Sequence, residues 1–125
     1  MRQEDLISLT NDTNSQGGIK MKVVFHVDEI NKWQEATNNI YNLLKLRSDA
    51  KIVLLVNGSG IQSYQLKRAQ TFIAENPNVS FHACQNAMNA FHMLQDELPL
   101  GVEVITAGVL DLIELQEQGY AYIKP

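Results

Sequence analysis

From Lys22 onward, apolar and polar positions fall into two alternating rhythms. The runs KVVFHV (22–27), KIVLLV (51–56), VSFHA (79–83) and VEVIT (102–106) are short, rich in β-branched residues and bounded by turn formers, and YAYI (120–123) alternates as a fifth. Such side chains fit a pleated surface, so these runs predict strands. The second is apolar almost throughout, which predicts a central strand covered on both faces. Between the runs the spacing becomes helical. Trp33, Ala36, Ile40, Leu43 and Leu44 share one side of 33–46, with Glu35, Asn39 and Asn42 elsewhere. A second helix is expected over 62–74, burying Leu66, Ala69 and Ile73, and a third after Cys84, burying Ala87, Ala90, Phe91 and Leu94. The fourth sets Val109, Leu112 and Ile113 against Asp111, Glu114 and Gln118, with Gly119 placed for a left-handed C-terminal cap.

Strand and helix in strict alternation imply right-handed crossovers. The expected fold is therefore α/β, a three-layer αβα domain around a mainly parallel five-stranded sheet. Residues 1–20, MRQEDLISLTNDTNSQGGIK, keep no sustained apolar period and are rich in Asn, Gln, Ser, Thr and Gly. They read as a polar N-terminal arm ahead of a single domain over 21–125, with Met21 as an alternative start.

Composition narrows the function classes. At 125 residues, 45% hydrophobic and 19% charged, the chain is of a size to bury one core without disulfides or metal. No apolar run is long enough to span a bilayer, and the start has no apolar stretch behind a basic end. The expected location is the cytoplasm, with no membrane partner. A net charge of −4 argues against nucleic acid, since binding a phosphate backbone relies on clustered Lys and Arg. Between Arg68 and Lys124 there is no Lys or Arg, so the C-terminal half is expected to carry an acidic surface. The single cysteine fits a reducing compartment and excludes a dithiol oxidoreductase within one chain.

Ligands of open parallel sheets bind beyond the carboxyl ends of the strands. Here those ends carry His26 and Asp28, then Asn57, Gly58, Ser59 and Gly60, then Cys84 and Gln85, then Thr106 and Gly108. Cys84 is expected in the first turn of a helix, where unpaired amides suit a sulfur nucleophile. It reads equally as a small apolar residue closing a strand. His82 precedes it by two residues, which puts both side chains on one side of a strand, and with His26 it is a candidate for proton transfer. His92 reads as a surface residue. One Cys and three scattered His show none of the close ligand pairs of a zinc site, so no metal is expected. The NGSG turn (57–60) lacks the lysine and spacing of a P-loop and reads as a tight turn needing positive φ, beside an anion pocket.

The segments MKVVFHVDE, NNIYNLL, VLLVNGSGI, FHACQNAM and GVEVITAGVLDLIELQEQGYAYIKP, in that order, resemble the DsrE/DsrF-like family, in particular its short stand-alone members of YchN-like fold. The resemblance covers Met21 to Pro125. It implies a homo-oligomer, trimer or hexamer, and a cysteine that carries a persulfide in sulfur relay. Cys84 stands at that position. On this reading the protein is a sulfur carrier or sulfurtransferase that needs no organic cofactor and meets a sulfur-donor or acceptor protein, with His26, Asn57, Gly58, His82, Gln85 and Gly108 forming the pocket. The alternative is a non-catalytic oligomeric binding module for a small anion or a partner protein, in which Cys84 only packs.

Overall fold

The computed structural model describes residues 20–125, so the expectation for the N-terminal arm falls outside the described residues apart from Lys20. Five strands form one sheet: β1 (Lys22–Val27), β2 (Lys51–Val56), β3 (Ser80–Cys84), β4 (Val102–Ile105) and β5 (Ala121–Ile123). All neighbours pair in parallel, in the order β4-β3-β2-β1-β5. The helices are α1 (Trp33–Leu46), α2 (Lys67–Glu75), α3 (Gln85–Ala90) and α4 (Gly108–Glu117). The expected three-layer α/β architecture is present.

Alternation along the strands divides the core in two. Val23, Phe25 and Val27 of β1 and Ile52, Leu54 and Val56 of β2 point to one side, where α1, α2 and α3 cover them. Trp33 anchors this layer, edge-on to Tyr64 at 5.7 Å and to Phe72 at 6.3 Å, and Phe72 in turn meets Phe81 at 6.0 Å. Trp33, Tyr64 and Phe81 are fully buried, and each contributes about 1.5–3 kcal/mol of transfer free energy. On the other side, Val24, Val53 and Leu55 meet Leu112 and Leu115 of α4 and Tyr120, with the partly buried Ile105 packed against them. One helix serves where the first side has three.

Three elements differ from expectation. The segment expected as one helix over 62–74 begins as a 3₁₀ stretch at Gly58–Gln65, breaks at extended Leu66 (ψ 140°) and resumes as α2. Burial of Ile61 and Tyr64 holds the tighter stretch in place. Gly60 lets it press on β1, because a Cβ there would lie 2.7 Å from the Val27 carbonyl oxygen. The third helix ends at Ala90, before His92 at φ 56°, so Met88 and Met93 enter the core while Ala90, Phe91 and Leu94 face solvent. His92 is exposed, as expected. In α4, Leu112 is buried as expected, but Val109 and Ile113 are exposed, and Gly119 adopts the left-handed cap at φ 95°.

Candidate functional site

The carboxyl ends of β1, β2 and β3 meet the first turn of α4 on the side of the sheet that α4 alone covers. Register explains the grouping: His26, Leu55, His82 and Glu103 are Cα partners across β1, β2, β3 and β4 and share that side. α4 starts beyond β4, next to Asn57, and its later residues Leu112 and Leu115 reach Val24, Val53 and Leu55.

Cys84 is the last residue of β3 and immediately precedes α3. The expected position within the helix's first turn is thus displaced by one residue, and the amide that meets the sulfur comes from a different helix. The backbone N–H of Gly108, at the start of α4, donates to Sγ at 3.3 Å. The thiol is 5% exposed and packs with the larger core. An amide at a helix start is a donor suited to an electron-rich sulfur, since it lies at the positive end of the helix dipole. Gly108 can come this close because it has no side chain: a Cβ would lie 3.0 Å from Asn57 Nδ2 and 3.2 Å from Asn57 Cβ.

His26 is held at both ring nitrogens. Asn57 Oδ1 lies 2.7 Å from Nε2, and the Tyr122 hydroxyl lies 2.6 Å from Nδ1. With the amide oxygen facing the ring, Nε2 carries the proton and Nδ1 accepts from Tyr122. A directed chain therefore runs from the partly exposed Tyr122 through His26 to Asn57, which touches Gly108. His82 makes a second anchor, with Nδ1 2.6 Å from Asp111 Oδ2 on α4, both side chains mostly buried. Its backbone carbonyl accepts from the Tyr64 hydroxyl at 2.9 Å. Burial pushes the Tyr64 hydroxyl well above its ordinary pKa of 10.0. At the rim, the Lys124 ammonium hydrogen-bonds Asp28 at 3.0 Å and holds that carboxyl below its ordinary 3.8.

Of the residues expected at the site, Cys84, Gly108, Asn57 and His26 form one connected series, and His82 stands on the same side of β3 two residues before the cysteine. Two stand apart. The side chain of Gln85 turns to Asn89 at 2.9 Å, one turn along its own helix. Gly58, at φ 53°, lies against the Asp28 carbonyl and shapes the turn after β2. The sequence reading missed Tyr122 and Asp111 as site residues. The signal for Asp111 was its place one turn after Gly108 on the same helix, which helical periodicity assigned instead to the solvent side. A cleft of about 330 Å³ between α1 and α2, lined by Trp33, Arg68, Phe72 and Glu75 among others, lies on the opposite side of the sheet. Among the described residues no group of three or more His, Cys, Asp and Glu is placed to hold a metal ion, and no helix is long and apolar enough to cross a membrane.

Comparison with known proteins follows the same outline. The protein of unknown function MTH1491 from Methanobacterium thermoautotrophicum is 29% identical, with a TM-score of 0.79 over 85% of this chain and 100% of its own. The YchN protein from E. coli has a TM-score of 0.72 at 13% identity, over 84% of this chain and 99% of its own, a likeness of fold alone. A search of curated proteins returned no match. The sequence matches the DsrE/DsrF-like family over residues 5–125, and the chain belongs to that family.

Proposed function

We propose that this is a cytoplasmic sulfur-relay protein that carries a sulfane sulfur on Cys84. The observation that carries the reading is the hydrogen bond from the α4 amide of Gly108 to Sγ, at the sheet edge where αβ proteins bind ligands. In the reaction, Cys84 sulfur attacks the outer sulfur of a donor persulfide R–S–SH. The donor S–S bond breaks, R–SH is released, and Cys84–S–SH remains. A second thiol then takes the outer sulfur and regenerates Cys84. Sulfur moves without net oxidation, so no organic cofactor is required.

The reading includes self-association as a trimer or a dimer of trimers, as the family resemblance implies. It is supported by the outer side of α4, where Val109 is 66% exposed and Leu110 and Ile113 are each 49% exposed, a continuous apolar strip that a second copy would cover. The test is intact-mass measurement of the native protein after incubation with a small-molecule persulfide. A gain of one sulfur atom is expected, absent in Cys84→Ser; a folded, reduced sample that gains none overturns the proposal. The burial of Cys84 favours one alternative, an oligomeric binding module in which the thiol only packs. Thiol alkylation limited by global unfolding would select that alternative.

A further inference from the structure

Resting on that reading, we infer that His82 is the group that moves the proton during sulfur transfer, and that Asp111 is its positioning residue. β3 and the first turn of α4 are joined at two points. Gly108 N–H reaches Cys84 Sγ, and Asp111 Oδ2 reaches His82 Nδ1. The spacings match: Cys84 and His82 are two residues apart on one side of a strand, and Gly108 and Asp111 are one turn apart on a helix running back over it. Ring and sulfur are therefore tied to the same turn of α4, one through Asp111 and the other through Gly108, while no hydrogen bond among the described residues joins them directly and Cys84 also packs with the larger core.

The chemistry of the contact fixes the ring. A carboxylate only accepts, so Nδ1 carries the proton and the lone pair of the neutral ring is on Nε2. Among the described residues no protein group hydrogen-bonds Nε2. The residue is also held from behind, because its backbone carbonyl accepts from Tyr64. The charged or titratable groups nearest in this layer are Asp111 above, Glu103 beside it on β4, and His26 two strands away. An imidazole oriented by a carboxylate thus stands two residues before the thiol on β3, and these are the groups used where a histidine activates a sulfur nucleophile. During transfer Nε2 takes the Cys84 thiol proton as Sγ bonds to the outer sulfur of R–S–SH, then returns it to the departing R–S, so that R–SH leaves and the persulfide keeps its own hydrogen.

The test compares parent, His82→Gln and Asp111→Asn. Asparagine at 111 still accepts from Nδ1 and preserves the tether but removes the charge, so a purely structural role leaves the pH profile unmoved. Rates of sulfur uptake from glutathione persulfide and of iodoacetamide alkylation of Cys84 are measured by intact mass over about pH 5.5–8.5, the range in which histidine changes charge. Expected is a rate loss of at least about tenfold in His82→Gln, with a flattened pH profile, and a smaller loss with a displaced profile in Asp111→Asn. Equal rates and superimposable profiles in all three, with unchanged thermal melting, overturn the inference while leaving sulfur carriage intact. If the parent takes up no sulfur, the proposed function fails. The alkylation profiles then decide separately: a His82-dependent profile supports coupling of ring and thiol, and an unchanged one overturns it.

Discussion

The two sides of the sheet are built to different specifications. One is sealed by three helices and a train of aromatic rings packed edge to face. The other has a single helix, a small apolar nucleus of Val24, Val53, Leu55, Leu112, Leu115 and Tyr120, and two bonded polar pairs, His26 with Asn57 and His82 with Asp111. Hydrophobic burial secures the first side, where Cys84 also packs, and the other polar groups of the candidate site stand on the second. The difference teaches that this domain takes most of its apolar burial on one side of the sheet and gathers its bonded polar side chains on the other.

The sharpest way to break that division is to truncate one anchor on each side. Trp33→Ala should cost about 3–5 kcal/mol by denaturant unfolding, whereas Leu112→Ala, at the margin of the smaller nucleus, should cost about 2 kcal/mol. Equal losses would mean that the α4 side is as tightly packed as the other. Gly60→Ala places a methyl group against the Val27 carbonyl and should cost about 1–3 kcal/mol, read in the same assay.

On the α4 side, Ile113→Asp should weaken the proposed self-association at least tenfold, about 1.4 kcal/mol, while leaving subunit stability within about 0.5 kcal/mol. Light scattering against concentration measures the first, and unfolding of the dilute protein the second. An unaltered assembly would remove the apolar strip from the interface.

Two pH effects refine the contrast. Tyr64 holds its proton in the folded chain above the pH at which the unfolded chain loses it. Its contribution is therefore whole below pH 10.0 and is lost as pH rises beyond that, by up to about 1.4 kcal/mol per pH unit. Tyr64→Phe should flatten this alkaline limb. The Asp28–Lys124 pair is the smallest effect. Because the folded carboxyl titrates below 3.8, its stabilisation is present above that value and disappears as pH falls through the folded pKa. Lys124→Met should lower stability only slightly at neutral pH and not measurably in acid, as befits a pair at the solvent rim.

Most of the fold was legible because it rests on local periodicity. The unbroken apolar run Ile52–Val56 marks the central strand, and Trp33, Ala36 and Ile40 are buried as their spacing requires. Errors arose where distant contacts override local pattern. Leu66 interrupts an otherwise helical stretch, and the positive φ of His92 ends α3 early, neither of which a hydrophobic period announces. Val109 and Ile113 follow the helical rule for core positions but have no second layer to meet. At the site, the cysteine, both histidines, Asn57 and Gly108 were visible as residues at strand ends. Their wiring was not, since Tyr122 reaches His26 across 96 residues and Asp111 reaches His82 across 29. The parallel pairing of β5 with β1 brings the first pair together, and the packing of α4 on the sheet brings the second.

The seat of β5 beside β1 ties the order of synthesis to the completion of the site. Val23 to Phe25 wait for Ala121 to Ile123 before one flank of the first strand is paired, and His26 waits for Tyr122. A ribosome therefore makes everything from β1 to β5 before β1 has its second neighbour. A polypeptide halted after Gly119 should show rapid amide deuteration along β1 while the β2–β3 ladder stays protected.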